Sequence, residues 1–116
     1  MNHPYLTTES RCEAGTCVLT VAGELDFDSA PLLRSAVGEL PLAENDRLIV
    51  DLSTLTFCDS SGVSVLVSTH RAADAAGTAV CLVGLAPNVA KLLRITGLDQ
   101  VFPVHGTADE ALAAAL

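Results

Sequence analysis

Short β-branched runs that alternate with stretches of helical periodicity constrain this chain more than any other feature. Arg47 to Leu52, RLIVDL, is the clearest run and reads as a buried strand. After it, Ser61 to Ala75 places Val63, Leu66, Val67 and His70 on one helical stripe, and Gly77 supplies a stop. Thr78 to Val83, TAVCLV, reads as a second buried strand. Pro87 then opens a helix with Val89, Leu92, Leu93 and Thr96 on one face, closed by Gly97. Val101 to Val104 reads as a short strand, and the capping box Thr107-Ala-Asp-Glu110 opens a last helix ending near Leu116.

Upstream, Thr16 to Ala22, TCVLTVA, is a strand bounded by Gly15 and Gly23, with an earlier strand within Tyr5 to Glu13 and a hairpin turn at Ala14-Gly15. Asp28 or Ser29 caps a helix that carries Pro31 in its first turn. That helix turns Leu32, Leu33, Ala36, Val37 and Leu40 inward and stops at Pro41. The order β-β-α-β-α-β-α-β-α predicts an α/β fold with a mixed, mostly parallel sheet of four to five strands. About four helices lie mainly on one face. The 116 residues hold one domain, 1–116, with no repeat or linker. Half the residues are hydrophobic but only 3% are aromatic, so the core is built from Val, Leu, Ile and Ala.

Several function classes are disfavoured. The net charge of −8 comes without a Lys/Arg cluster, which argues against nucleic acid. No run reaches the roughly 18 apolar residues of a membrane span, and MNHPYLTTES lacks the regions of a signal peptide. The reading is a cytoplasmic protein with reduced cysteines. Cys12, Cys17, Cys58 and Cys81 show no metal-ligand spacing, so no metal site is expected. Cys58 and Cys81 read as small core hydrophobes. No phosphate-cradling glycine loop exists, and no cofactor is expected.

One loop stands out: Phe57 to Val67, FCDSSGVSVLV, where a strand gives way to a helix through two adjacent serines. Three roles are open to them. As nucleophiles they lack a base. His70 lies about 15 Å along the same helix from Ser60, while His3 and His105 sit near the chain ends with no motif around them. As helix caps, either Ser60 or Ser61 satisfies an orphan N–H. As phosphate acceptors they stand at a helix start, which tolerates an anion and leaves the fold intact.

Three stretches together resemble the STAS-domain anti-anti-sigma factors (anti-sigma factor antagonists). These are Gly23-Glu-Leu-Asp26, then Leu48-Ile-Val-Asp-Leu52 with Phe57-Cys-Asp-Ser-Ser-Gly62, and Gly84 to Leu98, GLAPNVAKLLRITGL. The likeness spans nearly the whole chain. It implies phosphorylation of Ser60, the serine directly after Asp59, with Ser61 as a cap before it is an acceptor. The kinase would be the anti-sigma factor itself, a serine kinase of histidine-kinase-like fold. The unphosphorylated antagonist binds it and releases a sigma factor; phosphorylation breaks the complex, and a PP2C-type phosphatase restores it. The implied contact surface comprises Asp26, Asp59, Ser60, Ser61, Gly62, Val63 and Ser64. No enzymatic chemistry of the chain's own is implied. Ser64 stands where the family often has glycine, and Cys58 where a bulkier apolar residue is frequent. The rival within the same fold is a STAS subunit of a transporter or multi-protein sensing complex, with the serine acting only as a cap.

Overall fold

A computed structural model describes residues 5–114. Strand β1 (Leu6–Glu13) and strand β2 (Thr16–Leu25) form an antiparallel hairpin. Its two-residue turn is the expected Ala14-Gly15, with φ of 50° and 80°. Both values are positive, as the turn that matches strand twist demands. Helix α1 (Ala30–Gly38) follows, then β3 (Arg47–Asp51), β4 (Leu55–Cys58), α2 (Ser60–Ala76), β5 (Ala79–Val83), α3 (Pro87–Thr96), a 3-10 turn (Leu98–Gln100), β6 (Val104–His105) and α4 (Ala108–Ala114).

The sheet order is β1-β2-β3-β5-β6, with β4 also paired to β2, and every pairing except β1–β2 is parallel. The expected mostly parallel sheet is present, with six strands where four to five were read. The extra strand is β4. The first half of β2 pairs with β3 and its second half, Gly23 to Leu25, with β4. Four residues with one buried leucine carry too little alternation to announce a strand. They become one because the end of β2 extends past β3 and offers unpaired backbone.

Alternation in the central strands sorts the core. Leu48, Val50, Val80 and Leu82 pack with Leu33 of α1, Val65 and Leu66 of α2, and Val89 and Leu93 of α3. Ile49 and Val83 point to the other face, where Ala111 of α4 covers them. Three helices therefore share one face and α4 alone takes the other.

Four further expectations need correction. Leu32 is exposed, because the stripe of α1 centres on Leu33. Ser29 occupies the cap position of α1 but makes no cap bond. It is buried, and its Oγ donates to the Glu24 carbonyl (2.8 Å) and accepts from the Asp26 N–H (2.9 Å). The strand read at Val101–Val104 begins only at Val104, since a 3-10 turn after Gly97 delays it. Lastly, Cys12 and Cys17 are not reduced: they form a disulfide, their Cα atoms 4.0 Å apart. The hairpin register set by the two-residue turn places them directly opposite one another. The expected end of α4 near Leu116, and His3, lie outside the described residues. No helix among the described residues is long and apolar enough to cross a membrane.

Candidate functional site

The loop between β4 and α2 is held at the end of β2. The Asp59 N–H donates to the Leu25 carbonyl at 3.2 Å. This contact leaves Asp59 extended, at φ −110° and ψ −169°, the backbone shape of a cap residue. Its Oδ1 then accepts from the N–H groups of Ser61 (2.9 Å) and Gly62 (3.2 Å), and its carbonyl accepts from Val63 N–H at 3.0 Å. The cap of α2 is thus Asp59, and the expectation that Ser60 or Ser61 caps it is corrected. Both serines are already helical. The carboxylate outcompetes them because it can take two donors at the positive end of the helix.

Relieved of that duty, Ser60 is the first residue of α2 and is exposed. No hydrogen bond among the described residues engages its hydroxyl. Ser64, one turn on, is also exposed and donates from Oγ to the Ser60 carbonyl at 3.1 Å. Asp59, Ser61 and Val63 are half-buried. Gly62 faces inward: a Cβ there would lie 2.7 Å from Cys58 Sγ and 2.8 Å from Leu25 Cγ. Its lack of a side chain lets the helix start sit on the end of β2. Asp26 is half-buried nearby, and its Oδ1 accepts from Ser29 N–H at 3.0 Å, so it closes the turn into α1.

Cys58 is held inert. Burial, with the neighbouring Asp59 carboxylate adding to it, pushes its thiol up to about 11. This fits a core substitution, because a thiolate is the reactive form. His70 lies edge-on to Phe102 with ring centroids 5.2 Å apart, a packed histidine on the helix face far from Ser60.

Replacing Asp59 by Ala should lower stability by about 1 kcal/mol, the usual contribution of a helix cap. Urea unfolding monitored by circular dichroism measures it. A change below about 0.3 kcal/mol would show that the cap is dispensable.

Sequence reasoning missed Phe27, Asp28 and Arg34, which line a cavity of about 460 Å³ with Ser61 and Ser64. The only sign of it in the chain was an aromatic residue amid GELDFD, in a protein with few aromatics.

The STAS domain model matches residues 7–111. The anti-sigma-B factor antagonist of Bacillus subtilis is 32% identical over 92 residues, covering 78% of this chain and 83% of that protein. The anti-sigma-F factor antagonist of Mycobacterium tuberculosis is 30% identical over 100 residues, covering 84% and 80%. A crystal structure of an anti-sigma factor antagonist from Mycobacterium paratuberculosis superposes with a TM-score of 0.78 at 31% identity, covering 98% of this chain and 97% of that one. With that model matched across residues 7–111, nearly the whole chain, the chain belongs to the STAS domain family.

Proposed function

We propose that this chain is an anti-sigma factor antagonist working in the cytoplasm by partner switching. Its unphosphorylated form binds an anti-sigma factor kinase of histidine-kinase-like fold and so frees a sigma factor. That kinase phosphorylates Ser60, the complex dissociates, and a PP2C-type phosphatase resets the cycle. The chain is a substrate and a binding protein; the nucleotide and the catalytic base belong to the kinase.

The observation that carries this reading is the unengaged Ser60 hydroxyl on the first turn of α2. The Asp59 carboxylate caps the helix start, so the Ser60 hydroxyl can accept a phosphate without cost to the fold. A phosphate there adds between one and two negative charges. The helix terminus tolerates them, while a docked surface facing nucleotide phosphates does not.

The test is incubation of the chain with its cognate kinase and ATP, followed by mass spectrometry of the product. One phosphate on Ser60, absent from Ser60→Ala, is expected. Phosphate on Ser61, or none, would overturn the assignment.

A further inference from the structure

We infer that Phe27 is the anchor by which this surface grips its protein partner, and that the partner presents an apolar socket bordered by Lys or Arg. The partner's identity as a kinase rests on the antagonist reading above; the chemistry of the contact rests on the following.

The chain has only four aromatic residues among Phe, Tyr and Trp. Phe102 is buried, while Phe27 is 78% exposed, Tyr5 59% and Phe57 44%. All three exposed rings gather at one end of the sheet. Leu6 pairs with Gly23, and the Tyr5 carbonyl accepts from Glu24 N–H, so Tyr5 lies beside Glu24. Phe57 pairs with Glu24 from the other side. Phe27 follows two residues after Leu25, the residue that holds Asp59 in place. Phe27 and Phe57 thus rise from the two chain segments that frame the Asp59–Ser60 turn.

A single exposed apolar side chain is ordinary; Ile95, 71% exposed near the end of α3, is one. Phe27 differs in its setting. It stands at the wall of the cavity between the starts of α1 and α2, shared with Asp28, Pro31, Arg34, Ser61 and Ser64. A projecting ring beside a concavity offers both halves of an interlocking contact, and buried aromatics dominate binding energy where such contacts form.

Charge identifies the partner. Asp28 lines the cavity with Phe27, Asp26 precedes Phe27 in the chain and Glu24 pairs with Phe57, against Arg34 as the cation lining the cavity, within a chain of net charge −8. Such a rim steers a basic surface and repels a second copy of this chain. A phosphate on Ser60 acts differently from the rim. It sits at the centre of the contact, where desolvation and the kinase's nucleotide phosphates oppose it.

The experiment measures binding of the full chain to the cognate kinase with ADP, by surface plasmon resonance across a salt series. Phe27→Ala should bind about 30-fold or more weakly through faster dissociation, with its melting temperature and salt dependence unchanged. Asp28→Asn should slow association and flatten the salt dependence. Ile95→Ala should match wild type. Phe27→Ala within about twofold of wild type, while Ser60→Asp fails to bind, would overturn the anchor and leave the antagonist reading standing. No kinase binding by wild type would overturn both. A wild-type dimer lost in Phe27→Ala would assign the ring to self-association and overturn the inference.

Discussion

Ser60→Asp is expected to bind the anti-sigma factor kinase at least about 100-fold more weakly than wild type, while Ser60→Ala binds at wild-type strength. Both change only an exposed side chain whose hydroxyl makes no hydrogen bond among the described residues, so neither should disturb the fold. An unpaired carboxylate enclosed in a contact costs about 3–5 kcal/mol, which exceeds the hundredfold mark. Asp59 already occupies the orphan N–H groups of Ser61 and Gly62. A new carboxylate at position 60 therefore gains little from the helix start and meets a like charge next to it. Calorimetric titration of each variant into the kinase with ADP measures the difference. Equal affinity for the two would make Ser60 structural and would fit a constitutive scaffold instead.

Gly23→Ala is expected to lose at least about 3 kcal/mol of stability, a large part of the roughly 5–15 kcal/mol available to a domain. Gly23 has φ +102°, a region that L side chains rarely adopt. A Cβ there would meet the carbonyl of Tyr5 well inside contact distance. Relief would require the first residues of β1 to move away, breaking the bond from Glu24 N–H to the Tyr5 carbonyl. The register shift between Gly23 and Glu24 lies at this same point. It skips Thr56 and brings Glu24 and Leu25 into pairing with Phe57 and Cys58, just before the Asp59 turn, so Gly23→Ala should also weaken partner binding. Urea unfolding gives the stability, and a loss below about 1 kcal/mol would show that β1 yields easily. The glycine of the G-E-L-D stretch, read from sequence as a family likeness, thus has a steric reason.

Much of the fold was legible because its signals are local. The Ala14-Gly15 turn, the stops at Gly77 and Gly97 and the capping box at Thr107–Glu110 each depend on residues a few positions apart. So does the turn after β3, where Asp51 Oδ1 accepts from Ser53 N–H at 2.9 Å. The serine-bearing loop was legible as a site for the same reason: a strand, an aspartate, two serines and a glycine follow one another directly.

By itself, then, the sequence determined the alternation of strands and helices, the turns between them and the place of Ser60 at a helix start. These are short-range outcomes of backbone propensity and periodicity. The tertiary structure decided which neighbour does what. The choice of Asp59 over either serine as the cap follows from its backbone bond to Leu25, 34 positions away. The existence of β4 follows from the free end of β2, the disulfide from cross-strand register, and the exposure of Phe27 beside Ser61 from the meeting of α1 and α2. Apart from the disulfide, whose cysteines are five positions apart, each depends on contacts between segments distant in sequence, whose energies arise only once the chain has closed around its core.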